Sequence, residues 1–113
     1  MVDLDKLIVS RLRELSLPVY YDYCLDETNE APCISYYQYD NNAYANGDTL
    51  GYSKIIYKIK VWNKNPDDLS SYSTEVDTIM RSLGFKRTNS NELWVNNLGC
   101  KELKYENYAI EDF

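Results

Sequence analysis

Hydrophobic spacing divides the chain into elements before any other property is needed. Between residues 3 and 15, Leu4, Leu7, Ile8, Leu12 and Leu15 recur at intervals of three and four, which predicts an amphipathic helix with one buried stripe. Asp3 is placed to cap it, its carboxylate accepting from the free amides of the first turn. Pro18 disfavours helical geometry at Leu17, so the helix ends near Ser16. Two tyrosine-rich strands follow, Val19 to Tyr23 and Cys33 to Tyr39, joined by the polar stretch Asp26 to Glu30. From Tyr52 to Trp62 the period is two. Ser53, Ile55, Tyr57, Ile59 and Val61 share one face, while Lys54, Ile56, Lys58, Lys60 and Trp62 share the other, which predicts a long strand.

The helical period then returns in Leu69, Tyr72, Val76, Ile79, Met80 and Leu83. Asn65 fits the cap of this helix and Pro66 its first position, while Asp67 and Asp68 sit at the positive end of its dipole. Gly84 supplies the left-handed residue that ends it. Three shorter strands are predicted near Phe85 to Thr88, Glu92 to Val95 and Lys101 to Tyr105, separated by turns at Asn89-Ser90-Asn91 and Asn97-Leu98-Gly99. Residues 40–51 combine Asn, Asp and Gly with little apolar content and predict a flexible loop. The order α-β-β-β-α-β-β-β predicts a single α+β domain over residues 1–113, with two helices packed on one face of a mainly antiparallel β-sheet.

Composition narrows the function. The 113 residues are 44% apolar, enough for a packed core, and 12 of the aromatic residues are Tyr. A net charge of −6 argues against a free-standing nucleic-acid binder, because phosphate contacts need a basic face. The charged amino terminus reads as neither a signal peptide nor a membrane span. Cys24, Cys33 and Cys100 form an odd set without CxxC spacing, which points to a reducing compartment; Cys33 and Cys100 each head an apolar strand and read as buried small hydrophobes.

The chain contains no histidine, which removes Ser-His, Cys-His and His-metal constellations together. Carboxylates are the remaining catalytic candidates. Asp67, Asp68, Glu75 and Asp77 read as capping or solvated groups rather than as a pair facing one cleft. Asp22, Asp26, Glu27 and Glu30 lack the spacing of a calcium loop, and the four glycines are too scattered for a phosphate loop. No catalytic residue, cofactor or metal is expected. Charge is strongly segregated instead. Seven acids and no Lys or Arg lie between Glu14 and Ser53, whereas Lys54, Lys58, Lys60 and Lys64 follow without an acid. The lysine face with Trp62 reads as a solvated sheet surface or as an interface.

The strings PCISYY (32–37), YKIKVWN (57–63) and IMRSLGFKR (79–87), set between a leading helix and a final hairpin, resemble the tail terminator (tail completion) proteins of long-tailed bacteriophages. The resemblance covers residues 3–108. It implies a non-enzymatic α+β subunit that forms a homo-hexameric ring at the head-proximal end of the tail tube. That ring would stop tube polymerisation and offer the docking surface for the head, so its partners would be further copies of itself, the major tail tube protein and a head-completion or neck protein. Phage DNA would pass through it without sequence-specific recognition, and no membrane is involved. Trp62 matches the aromatic ending the long strand, and Leu83, Gly84 and Phe85 match the helix-to-strand junction, all as structural residues.

On this reading Lys54, Lys58, Lys60 and Trp62 meet Asp22, Asp26, Glu27 and Glu30 of the next subunit, and Asn42, Tyr44, Asn46, Asp48 and Leu50 form a loop contacting tail or neck. The alternatives are another head-tail connector component, or a small acidic adaptor or inhibitor that binds a basic partner.

Overall fold

The computed structural model describes residues 4–21, 32–44 and 52–110. Its elements are α1 (Leu4–Leu12) with a 3₁₀ turn at Arg13–Leu15, β1 (Val19–Tyr21), β2 (Cys33–Tyr44), β3 (Tyr52–Asn63), α2 (Pro66–Ser82), β4 (Lys86–Val95) and β5 (Leu98–Ile110). The five strands form one sheet in the order β1-β2-β3-β5-β4. The fold is α+β as expected, but the sheet is mixed and has five strands rather than six.

Each difference has a physical cause. β1 lies parallel to β2, from Val19 opposite Ile34 to Tyr21 opposite Tyr36. A parallel neighbour cannot be reached by a tight turn and needs a long connection, which the polar chain between Tyr21 and Cys33 supplies. The expected turn at Asn89-Ser90-Asn91 does not form, so two predicted strands merge into β4, and a register shift between Arg87 and Asn89 absorbs the irregularity. The second expected turn does form, centred on Asn96 and Asn97 rather than on residues 97–99, with φ of +52° and +63°. Two successive left-handed residues twist a two-residue hairpin in the sense that antiparallel strands require, and asparagine tolerates that region. β2 continues to Tyr44 and pairs with β3 through Asn42 opposite Lys54 and Tyr44 opposite Tyr52, so residues 40–44 are strand rather than loop. The remainder of the expected loop lies outside the described residues, as do Asp3 and its expected cap.

α2 follows its sequence signals closely. The Asn65 side chain accepts from the amides of Asp67 at 2.9 Å and Asp68 at 3.2 Å, with Pro66 at the first helical position. At the other end Gly84, at φ +91°, donates to Arg81 O, and Phe85 donates to Met80 O, both at 3.0 Å. This paired closure satisfies carbonyls the helix leaves free. α1 passes through its 3₁₀ turn to Ser16, which at φ +62° donates back to Arg13 O.

Both helices contribute to one core on one face of the sheet. Ile8 and Leu12 of α1 and Leu69, Val76, Ile79 and Met80 of α2 are buried with Ile55, Tyr57, Ile59 and Val61 of β3 and Leu103 and Tyr105 of β5. Tyr72 and Leu83 pack at its margin as partly buried residues. Leu7 departs from the expected stripe and is exposed. Tyr57 ties the layers together: its hydroxyl donates to Asp5 of α1, and its ring meets Phe85 edge-on at 5.6 Å.

Candidate functional site

Strand alternation puts Lys58, Lys60 and Trp62 on the sheet face opposite the helices. Lys58 Nζ lies 3.3 Å from Glu102 Oε1 on the neighbouring β5. Trp62 is half-buried and donates from Nε1 to Ser35 Oγ at 3.2 Å. Lys54 belongs to the same strand, opposite Asn42 on one side and Tyr108 on the other. These residues are thus brought into one row. Asp22, Asp26, Glu27 and Glu30 lie outside the described residues, and so do Asn46, Asp48 and Leu50; Asn42 and Tyr44 are at register positions within β2. Glu102 belongs to the same sheet as Lys58, so at least one lysine charge is paired across the ladder within the subunit.

Among the described residues, Cys33 and Cys100 fit the reading as small hydrophobes. Cys33 is buried and Cys100 half-buried, and they flank Trp62 on the same face. Burial pushes the Cys33 thiol up to about 11. Burial also dominates at Cys100, pushed up to about 12, with Lys60 opposing and Glu102 and Cys33 adding to the rise. Both thiols are therefore protonated at neutral pH and poor nucleophiles.

Asp77 departs from the solvated group expected of it. Its carboxylate is largely covered and accepts from Tyr105 Oη at 2.9 Å and Arg81 Nε at 2.8 Å, with Arg87 Nη1 at 3.6 Å. Partial burial pushes the carboxyl upward. The Tyr105 and Arg81 hydrogen bonds and the Arg87 and Arg81 charges together outweigh it, leaving the pKa below the usual value. Tyr105 is raised, first by burial and then by Asp77. Beside this cluster a polar groove of about 340 Å³ runs between α2 and the β4–β5 hairpin, with Ser70, Thr74, Arg87, Glu92 and Lys101 on its walls. A carboxylate held ionised by two arginines cannot act as a general acid at neutral pH. Among the described residues no cluster of three His, Cys, Asp or Glu could hold a metal ion, and no helix is long and apolar enough to cross a membrane.

The surface that sequence reasoning missed is the end of the β4–β5 hairpin. Leu93, Trp94 and Val95 are 64%, 37% and 55% exposed. Leu93 lies opposite Cys100 on the outer face, and Trp94 turns to the helix side above Gly99, where an added Cβ would come within 2.7 Å of the indole ring. The signal was available: a Leu-Trp-Val run at a strand end followed directly by two turn-forming asparagines.

No family model matches this sequence, and no curated protein matches it. Among solved structures, a chain from the virion of a native gene transfer agent particle superposes with a TM-score of 0.69, covering 96% of this chain and 95% of that one at 11% identity. A second solved chain superposes with a TM-score of 0.54 over 99% of both chains at 12% identity. At these identities the likeness establishes a shared fold.

Proposed function

We propose that this chain is a non-enzymatic virion subunit of the tail terminator type, assembling into a ring at the head-proximal end of a tail tube. There it stops tube polymerisation and offers the docking surface for the head. The observation that carries the reading is the end-to-end superposition on a virion chain, which spans 96% of this chain and 95% of that one. The resemblance of the strings at 32–37, 57–63 and 79–87 to tail terminators gives it its finer form. The chemistry of the described residues is consistent with a role made of protein contacts. Its most perturbed carboxylate is neutralised by arginines, its thiols are held protonated, and three consecutive exposed apolar side chains, Leu93, Trp94 and Val95, gather at one hairpin end.

Electron microscopy of polymerising tail tubes tests the reading. Added protein should appear as a ring at one end, and tube length should stop increasing. Tubes that keep lengthening, with no density at either end, would refute it.

A further inference from the structure

β4 is the outermost strand on its side of the sheet, and all ten of its residues are exposed. One side of it pairs with β5 from Lys86 opposite Glu106 to Val95 opposite Leu98; among the described residues no strand pairs with the other side. Proteins ordinarily blunt such an edge with short length, lysine, proline or a covering element. From Thr88 to Val95 there is no Lys, Arg or Pro, and the single charge, Glu92, accepts from Trp94 Nε1 at 3.0 Å. The register is regular from Asn89 onward, so a row of backbone donors and acceptors runs directly into the exposed Leu93, Trp94 and Val95.

On the opposite side of the sheet, among the described residues, a second stretch of strand edge has no partner strand, and its character is different. β1 pairs with β2 only as far as Tyr36. Asp40–Tyr44 has β3 on one side and, among the described residues, no strand on the other. The charges of the two edges are complementary. β2 carries an acid, Asp40, and no base, whereas β4 opens with Lys86, the neighbouring Arg87 being turned to Asp77 of its own subunit. Two unlike, complementary edges on one subunit generate head-to-tail contacts, which close into rings when the rotation allows.

We propose that the outer edge of β4 receives the Asp40–Tyr44 edge of a second copy of this chain, with Leu93, Trp94 and Val95 as the apolar anchor. The inference rests on the ring reading and identifies the surface that builds the ring. Backbone hydrogen bonds of strand addition supply the pairing, and the apolar end together with the charge at the other end selects the partner. The lysine face around Lys58 and Lys60 is then a bystander to assembly.

Sedimentation of the full chain, alone and with tail tubes, tests this in three proteins: wild type, Leu93→Lys with Val95→Lys, and Lys58→Glu with Lys60→Glu. The wild type should form a ring, and the edge variant should need at least tenfold more protein to do so with its thermal transition unchanged. The lysine-face variant should assemble as wild type does. A cysteine scan keeps the test decisive if the edge variant folds poorly. In a Cys24→Ser background, Asn42→Cys is combined in turn with Ser90→Cys, Asn91→Cys and Glu92→Cys, since paired strands bring Cβ atoms within disulfide reach. At least one combination should give a ladder of linked subunits on mild oxidation, and neither single cysteine should. Rings formed normally by a folded edge variant, or no ladder from any combination, would overturn the edge assignment and leave the ring reading standing. A wild-type protein that stays monomeric with tubes present, while tubes lengthen, would overturn both.

Discussion

The Tyr105 hydroxyl on β5 donates to Asp77 Oδ1 on α2 at 2.9 Å, and this bond fastens the longer helix to an interior strand of the sheet. Arg81, one turn along the helix, and Arg87, at the start of β4, complete the cluster. Three separate elements converge on one carboxylate.

Stability should therefore depend on pH through Asp77. Its folded pKa is depressed below the ordinary 3.8, so in acid the unfolded chain takes up the proton first. The stabilisation is complete above the ordinary value and is lost as pH falls through the depressed one. Asp77→Asn should cost about 1.5–3 kcal/mol at pH 7, the range for hydrogen bonds to a charged group. Urea denaturation at pH 7 and at pH 2.5 should show the wild-type advantage shrinking in acid; an equal difference at both would contradict the assignment.

The core faces make a second prediction. Ile59 is fully buried on β3 and Ile79 is slightly exposed on α2, both within the same cluster. Either Ile→Ala change should cost about 2–5 kcal/mol through lost transfer energy and an unfilled cavity, with Ile59 the more costly. Chemical denaturation measures both. A loss below about 0.5 kcal/mol in either lies far outside the range for a core position.

Two glycines should fail for different reasons when changed to alanine. At Gly99 the new methyl would stand 2.7 Å from the Trp94 ring and 2.8 Å from Leu69 Cδ2. Trp94 can swing outward, but Leu69 is fully buried, so overpacking should cost about 1–3 kcal/mol and shift the tryptophan emission. At Gly84 the nearest atom is an ordinary 3.5 Å away, yet φ is +91°. There the cost, about 1–2 kcal/mol, is backbone strain, and the emission spectrum should not move. Removing the indole by Trp94→Ala should relieve only part of the Gly99→Ala loss, because Leu69 remains.

Thiol reactivity supplies a fourth test. With Cys24 replaced by Ser, a thiol reagent at pH 8 should modify Cys33 only as the protein unfolds. At a pKa of about 11 roughly one thiol in a thousand is ionised, and that one is enclosed. Labelling of the native protein as rapid as in urea would place Cys33 at the surface.

Local signals determined local structure. Asn65, Pro66 and Gly84 bound α2 where the sequence says they should, because capping depends on residues within one turn of the helix end. The alternation of Tyr52 to Trp62 determined which β3 residues face the helices, since a strand's side-chain period leaves no choice once one face is apolar. Tertiary structure decided what depends on neighbours distant in sequence. Asn89-Ser90-Asn91 has turn composition, yet it stays in the strand because β5 pairs along it, and only the expected turn near Asn97 reverses the chain. The loop-like residues Asp40–Tyr44 are drawn into β2 by pairing with β3. Asp77 resembles any solvated helix acid until Tyr105 and Arg87, remote in the chain, close around it. Which strand lies at the edge of the sheet is also invisible in the sequence. That is a property of strand order, which joins residues far apart in the chain, and it leaves the outer side of β4 without a partner strand among the described residues, its apolar end exposed.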